Sequence, residues 1–300
     1  MQTGRTLRSA EGSNRGAFGP IEWALLLGLS VIWGSSFLWI AIGLDDLHPG
    51  AVALARTALG ALAMSFVPSS REPVDADART GIWLVGLFGT VMPALLFAFA
   101  EQRVESSVAG MVQSAAPLFV LGLSIVMLRR VPAPTVLIGL VVGLLGGVLI
   151  AFPNVTGADA EPLGVTLVLI AVACYSVSSN ILPPLVHDFG GAAVMARALR
   201  FGTIVLLPDG IYGFTQSSFA WSAVVAMFVL GVFGTGFART MMAELIARAG
   251  APRASLVSYF VPVVAVVLGV AVRGDGIVPL ELVGLAIILL SARLISRADH

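Results

Sequence analysis

Charged side chains inside apolar segments are the first residues in this sequence that could do chemistry. Arg239 follows Gly234-Thr235-Gly236 in a long apolar segment, and an arginine at the centre of a membrane helix costs about 2.5–3.5 kcal/mol. A guanidinium retained at that cost could bind an anionic group such as a carboxylate. The alternatives are an ion pair with Glu244, or extension of the side chain to the membrane surface.

Other charged residues in apolar segments have competing interpretations. Arg56 and Arg197 lie a turn or two from the start of their segments, so anchoring at headgroups or helix pairing is the favoured role for both. Glu244 is a candidate carrier of a coupling proton, but Arg248 stands at i,i+4 spacing and favours a structural pair. Arg239 is therefore the charged residue with the best case for binding solute.

Two prolines within apolar segments mark a second kind of candidate. Each removes a helix hydrogen bond and frees the carbonyl one turn earlier, which belongs to Gln113 for Pro117 and to Ser258 for Pro262. Polar side chains beside these gaps, including Tyr259, could bind solute while the loosened helices act as hinges. The alternative is a kink whose free carbonyl is satisfied by a neighbouring helix.

Aromatic and hydroxyl side chains complete the candidate site. Trp33 lies in the middle of its segment, away from the ends where tryptophan anchors a helix at the interface, and Tyr175 and Ser179 share a helix face. Simple packing is the alternative for the aromatic residues. The candidate substrate-binding residues are Trp33, Phe37, Gln113, Tyr175, Ser179, Arg239, Ser258 and Tyr259, with Pro117 and Pro262 as candidate helix hinges.

The composition identifies the class of protein that must position these residues. Hydrophobic residues make up 58% of the 300 residues, charged residues 11%, and the mean hydropathy is +0.97, whereas ordinary globular domains carry about 25% charged residues. Apolar runs of spanning length recur along the chain, which predicts an all-α polytopic membrane protein. Zero net charge gives no indication of nucleic acid, and one cysteine with three scattered histidines predicts no disulfide, metal or cofactor site.

Ten transmembrane helices can be placed along the sequence. The first 22 residues are expected to be an uncleaved cytoplasmic tail, because the first apolar segment already has full spanning length. The predicted spans are about 23–43, 50–67, 81–100, 107–128, 135–152, 163–182, 192–208, 219–243, 254–272 and 279–295.

A duplication organises these spans. Shifting Ser106–Ile150 by 145 positions places it on Ala251–Ile295, with Pro117 on Pro262. This predicts two five-helix repeats, residues 23–152 and 163–296, joined by a linker at 153–162. Because five is odd, the second repeat must enter the membrane in the opposite orientation, as in many secondary transporters.

Arginine placement gives the orientation. With the amino terminus in the cytoplasm, eleven of the seventeen arginines fall on the inner side and two on the outer side, as the positive-inside rule requires. The link after the fourth span reads Arg129-Arg130, and its counterpart after the ninth reads Gly274-Asp275. Both termini are therefore predicted to be cytoplasmic.

Short motifs in fixed order connect the chain to a known family. They are Trp33-Gly34-Ser35-Ser36-Phe37, Arg56, Gly89-Thr90, Ser106-Ser107-Val108-Ala109, Pro117, Gly139 through Gly147, Gly234-Thr235, Ala254-Ser255, Pro262 and Gly284. The pattern resembles the EamA family of the drug/metabolite transporter superfamily. Arg130 and Asp275 depart from the Gly-Glu pair that the family usually places after the fourth and ninth spans. The resemblance implies a ten-helix bundle of two inverted repeats, alternating access, and frequent export of amino acids or other small metabolites.

We therefore expect a secondary transporter in the inner membrane that exports small amino-acid-like or drug-like solutes. The solute, the lipid bilayer and a candidate coupling proton are its expected partners. The site is expected between spans one, three, four, six, eight and nine, and no phosphate-binding loop indicates nucleotide-driven transport. A membrane-embedded enzyme would need a converging catalytic cluster, which the spans do not offer. A non-transporting sensor or scaffold would usually carry an added soluble domain.

Overall fold

A computed structural model describes residues 17–128, 133–155, 161–268 and 279–296. These residues form ten helical segments and no β-strand, which confirms the expected all-helical class. The segments are α1 (Pro20–Leu44), α2 (Pro49–Ser65), α3 (Arg79–Gly86, Leu87–Val91 and Met92–Ala100), α4 (Ser106–Gln113 and Ala116–Leu128), α5 (Pro134–Val155), α6 (Pro162–Phe189), α7 (Gly191–Thr215), α8 (Trp221–Val229, Leu230–Phe237 and Ala238–Ala249), α9 (Ala251–Ala254 and Val257–Leu268) and α10 (Pro279–Ser296).

Some of the predicted features fall outside the described residues. These are most of the amino-terminal tail, half of the linker at 153–162, and the loop positions Arg130 and Asp275. The loop between α2 and α3 is described, and it contains two short 3₁₀ turns, Pro68–Arg71 and Ala76–Ala78.

Six helices in the described residues are long and apolar enough to cross a membrane, so the protein is multi-pass. They are α1, Ala76–Ala100, Val108–Met127, α6, α7 and Trp221–Ala249. The others are shorter: α2 has 17 residues, and the apolar parts of α5 and α10 cover Pro134–Ile150 and Leu282–Ile295. Helix length and composition thus establish six possible membrane-spanning helices, whereas the sequence predicts ten.

Two helices run past prolines at which the sequence predicts an end. Helix α6 continues through Pro183 and Pro184 to Phe189, and α7 continues through Pro208 to Thr215. A proline costs one helix hydrogen bond, but packing against neighbouring helices can hold the chain helical beyond it. The two helices are longer than predicted for this reason.

The two halves pack as equivalent pairs. Helix α2 packs on α7 and α5 packs on α10, so the second and fifth helices of each half meet their own counterparts. Helix α1 contacts α8 and α9, while α6 makes the corresponding contacts with α3 and α4. Each of these contacts joins the two halves, and each buried apolar cluster of the described residues combines side chains from both halves.

Glycines let paired helices approach closely. A Cβ atom added at Gly146 would lie 2.9 Å from the carbonyl oxygen of Gly284, and one added at Gly284 would lie 2.8 Å from that of Gly146. No side chain larger than hydrogen fits at this crossing of α5 and α10. The reciprocal contact shows that Gly146 and Gly284 serve helix packing.

The third helix of each half contains π-helical turns. They cover Leu87–Val91 in α3 and Leu230–Phe237 in α8. The 145-residue shift superposes these regions in sequence, so the irregularity is part of the repeated unit. π-Helical turns inside α-helices are frequently found at functional sites.

Candidate functional site

A cavity of about 100 Å³ lies between the two halves, near the middle of the long helices. Helices α1, α3, α4, α6, α8 and α9 line it, as the sequence predicts, and α2 and α7 add one residue each. Its wall comprises Trp33, Ser36, Phe37, Ile40, Arg56, Phe97, Gln113, Ala116, Val120, Tyr175, Ser178, Ser179, Leu182, Met195, Arg239, Met242, Ile246, Ser255 and Ser258.

The structure brings seven of the eight candidate binding residues to this wall. They are Trp33, Phe37, Gln113, Tyr175, Ser179, Arg239 and Ser258. Tyr259 lies elsewhere: its side chain is fully buried, and its hydroxyl donates a 2.6 Å hydrogen bond to the carbonyl of Leu140. Tyr259 thus joins α9 to α5, outside the cavity.

The candidate hinge prolines lie next to the cavity wall. Pro117 is the second residue of Ala116–Leu128, directly after a turn at Ser114 and Ala115 that interrupts α4. Pro262 lies inside Val257–Leu268, one turn after Ser258. Both helices are therefore interrupted where they line the cavity, which is the placement that a hinge requires.

Arg239 is held by an aromatic side chain. Its Nη2 donates to the hydroxyl of Tyr175 at 3.0 Å, and its guanidinium carbon lies 5.0 Å from the centre of the same ring. The Nε of Arg239 is buried and has no hydrogen-bond partner among the described residues. Glu244 instead accepts a 2.6 Å hydrogen bond from Arg248. Of the two partners that the sequence allows for Glu244, the structure therefore contains Arg248 and not Arg239.

Arg56 is a cavity residue that sequence reasoning assigned elsewhere. The sequence favours headgroup anchoring or helix pairing, but the side chain is only 6% exposed and lines the cavity. Its Nε donates to the Thr235 hydroxyl at 3.1 Å, and that hydroxyl donates to the carbonyl of Leu230 at 2.9 Å. Arg56 does pair two helices, but from the protein interior rather than at the lipid surface.

Close packing of α2 against α8 directs Arg56 inward. A Cβ at Gly60 would lie 3.0 Å from the Gly231 carbonyl oxygen and 3.1 Å from the Gly236 nitrogen. The missing side chain lets α2 approach the π-helical turns that carry Thr235. The repeated Gly-Thr motif was the sequence feature that could have indicated this site. However, no pattern near Arg56 in the sequence predicts its contact with Thr235.

Aromatic rings form one side of the cavity. Phe37 and Phe97 meet edge to face with ring centres 5.9 Å apart, and Phe97 lies 6.0 Å from Tyr175. The indole nitrogen of Trp33 donates to the Gly234 carbonyl at 3.1 Å. Since this donor is already used, Trp33 offers the cavity an apolar ring face.

A carboxylate lies one turn beyond the cavity wall, at the end of α3. Glu101 borders a surface depression together with Arg103 and Glu161, and one of its oxygens accepts a 3.0 Å hydrogen bond from Ser106. Its other oxygen is buried without a hydrogen-bond partner in the described part of the chain. Burial raises the pKa of the Glu101 carboxyl to about 8, although the Ser106 hydrogen bond and the charge of Arg56 act to lower it. The carboxyl is thus mainly protonated at neutral pH.

Comparison with known proteins identifies the family. The profile of the EamA-like transporter family matches residues 21–152 and again residues 162–297. The chain is 28% identical over 282 residues to a probable terminal-alkyne amino-acid exporter of Streptantibioticus cattleyicolor, covering 92% of this chain and 93% of the relative. It is 26% identical over 289 residues to the uncharacterized inner membrane transporter YedA of Escherichia coli K12, covering 92% and 90%.

A solved crystal structure shares the fold. It matches with a TM-score of 0.68 and 16% sequence identity, covering 91% of this chain and 96% of the other. Together with the two profile matches and the membrane-spanning helices, these relatives place the chain among transporters rather than enzymes. The chain therefore belongs to the EamA-like transporter family, within the drug/metabolite transporter superfamily.

Proposed function

We propose that this protein is a secondary transporter that exports small organic metabolites across the inner membrane by alternating access. Ten spans form two inverted repeats, and both termini lie in the cytoplasm. The observation that carries the proposal is the cavity between the halves, lined by two arginines, aromatic rings and hydroxyls near mid-helix. Secondary transporters with inverted repeats bind solute at such a position.

Contacts between loops on the predicted inner side support the alternating topology. Arg197 at the start of α7 donates to the Glu72 carbonyl in the loop before α3, at 2.6 Å. Arg248 at the end of α8 lies 3.8 Å from Glu22 at the start of α1. All four residues should face the cytoplasm if each helix crosses once.

Contacts on the predicted outer side follow the same rule. The Ser218 amide donates to the Asp46 carbonyl at 2.9 Å, and the Glu161 amide donates to the Arg103 carbonyl at 3.2 Å. Each pair joins two links that should both be extracellular. Helices that failed to cross would separate these residues by the thickness of the membrane.

The names of relatives support the direction and the class of solute. One is named a probable terminal-alkyne amino-acid exporter, and the name of another places it in the inner membrane. We therefore propose that this protein also exports a small organic solute.

Transport can be tested by filling the cavity. Cells with and without the protein are compared for metabolites released to the medium, and each solute found is then tested in proteoliposomes. Ser179→Trp should abolish its transport, because Ser179 lines the cavity, whereas Thr215→Trp at an exposed helix end should not. Undiminished transport by folded Ser179→Trp would contradict the cavity as the route.

Topology can be tested by labelling single cysteines. Cys174 is the one native cysteine and is buried, so a Cys174→Ser background is suitable. Cysteines at exposed Ser69 and Ser218 should react with an impermeant reagent from the cytoplasmic and the outer side, respectively. Reaction of both from the same side would contradict the alternating topology.

A further inference from the structure

The charged groups on the cavity wall are all of one sign. Arg56 and Arg239 line the cavity, and no Asp, Glu or His is found among the described residues that do so. The two guanidiniums lie close enough to interact electrostatically. The wall thus carries two positive charges.

Neither arginine has an ion-pair partner within the described residues. Arg56 donates to a hydroxyl of Thr235, and Arg239 donates to the hydroxyl of Tyr175. The buried Nε of Arg239 has no hydrogen-bond partner there. In the described part of the chain, the side chains of both arginines thus donate hydrogen bonds only to neutral groups, and further donors remain available to a ligand.

The nearest acids do not neutralise this charge. Glu244 and Glu22 both pair with Arg248. Glu101 interacts electrostatically with Arg56, but it borders the surface depression rather than the cavity, and its carboxyl is mainly protonated at neutral pH, so it supplies little counter-charge. Arg56 is buried and Arg239 is half-buried, and charges placed there without counter-ions are costly, so a bound anion would recover part of that cost. The ammonium group of an amino acid would find no carboxylate among the described residues of the wall and would be repelled by both guanidiniums.

We propose that the cavity selects solutes with net negative charge, namely small organic carboxylates, over zwitterionic amino acids and over amines. This inference rests on the proposed transport function and narrows its substrate class. The carboxylate would lie against Arg56 and Arg239, where two guanidiniums can donate to both oxygens. The apolar part would contact the rings of Trp33, Phe37 and Phe97, which lie on the same wall.

Matched ligands test the charge directly. Binding to the purified full chain in nanodiscs is measured by calorimetry for two series that differ only in charge: butyrate, 2-aminobutyrate and propylamine, and 3-phenylpropionate, phenylalanine and phenethylamine. In at least one series the carboxylate should bind about tenfold or more tightly than the amino acid, a difference of about 1.4 kcal/mol, and the amine should not bind.

Charge variants test the residues. Arg239→Gln and Arg56→Gln should each abolish the preference for the carboxylate, whereas Arg200→Gln removes an exposed arginine and should leave it unchanged. If a variant fails to fold, the binding of the two ligand series to the wild-type protein is sufficient to test the proposal. Equal or tighter binding of the amino acid, or a preference that survives both cavity variants, would overturn it.

The failure of this inference can be separated from failure of the transport proposal. Transport of phenylalanine or another zwitterion without preference for the carboxylate would leave a transporter and eliminate the charge selection. Absence of both binding and transport for every solute in the release screen and in the two series would eliminate both proposals.

Discussion

The two halves of the protein contain the same arginine and the same threonine but use them differently. Arg56 in α2 corresponds to Arg197 in α7 when the sequence is shifted by 141 positions, and Thr90 corresponds to Thr235 at a shift of 145. Arg56 reaches across to Thr235 of the other half and lines the cavity. Arg197 does not reach Thr90; it donates to the carbonyls of Ser70, Ala193 and Glu72.

This difference makes the cavity asymmetric. The hydroxyl of Thr90 is buried without a hydrogen-bond partner among the described residues, whereas that of Thr235 both accepts and donates. One arginine therefore supplies charge to the cavity wall, while its counterpart joins a helix start to a loop. The two halves thus share these residue types but differ in the contacts that each residue makes.

The largest expected effect distinguishes the two arginines. Arg56→Ala should weaken binding of the preferred carboxylate by about tenfold or more, because a charged hydrogen bond contributes about 1.5–3 kcal/mol. Arg197→Ala should leave that affinity unchanged and lower the melting temperature, because it removes three bonds to loop and helix carbonyls. Calorimetry and thermal unfolding in nanodiscs measure the two effects. Equal affinity losses for both variants would contradict the asymmetry.

The second-largest expected effect is a pH dependence of stability at Glu101, a position where the two halves differ in residue type. Ile246 stands where the 145-residue shift would place the counterpart of Glu101. Because the folded protein raises the pKa of the Glu101 carboxyl from 4.5 to about 8, the folded state binds the proton more tightly than the unfolded state. This carboxyl therefore destabilises the fold progressively as pH rises from 4.5 to 8, and fully above that.

Glu101→Gln should remove this part of the pH dependence. The variant keeps an uncharged side chain of the same shape, so its melting temperature should exceed that of the wild type by a few degrees at pH 9 and match it near pH 5. Melting curves across this range measure the difference. Glu105→Gln, at an exposed position nearby, is the control, and a wild-type curve that rises toward pH 9 would contradict the expectation.

The threonine pair should give a smaller effect. Thr235→Val removes the acceptor that positions Arg56. It should lower the free energy of unfolding by about 1 kcal/mol and also weaken binding of the carboxylate. Thr90→Val replaces a buried hydroxyl that lacks a partner in the described residues, so it should be neutral or stabilising. Denaturant unfolding compares the two variants, and a larger loss for Thr90→Val would reverse the assignment of roles.

The smallest effect is expected at Tyr175, whose counterpart at the 141-residue shift is Gly34. A side chain at Gly34 would collide with Val264, at 2.9 Å from an added Cβ atom, so only the second half can place a ring here. Tyr175→Phe keeps the ring beneath Arg239 but removes its hydrogen bond, and should weaken carboxylate binding about threefold. Tyr212→Phe on the exposed surface is the control, and tighter binding by Tyr175→Phe would contradict a positioning role.

Much of the fold was predictable because the membrane restricts the chain. In lipid, backbone groups must be bonded within helices, so long apolar runs predict helices reliably. The helix ends at Phe189 and Thr215 were not predictable, because packing, not the nearby prolines, decides where α6 and α7 stop. The predicted number of ten membrane crossings is also not established by helix length, because only six helices in the described residues are long and apolar enough to span a membrane.

The candidate site was predictable as a set of residue types rather than as a geometry. Polar and aromatic residues in the middle of apolar segments are costly or unusual there, so Arg239, Tyr175 and Gln113 could be selected without a structure. Arg56 could not be assigned to the cavity, because its distance from the helix start allows either the lipid surface or the interior. Tyr259 could not be assigned to helix packing, because its partner Leu140 is 119 residues away.

The sequence by itself determined the class of protein, the duplication and the residues available for a site, because composition, period and repeated order are properties of the chain. Only the tertiary structure decided which of those residues line the cavity. That choice depends on how each helix is rotated about its axis, and contacts between the two halves fix the rotation. The close approach of Gly60 to Gly231 and Gly236 turns Arg56 inward, and such a long-range contact leaves no local pattern in the sequence.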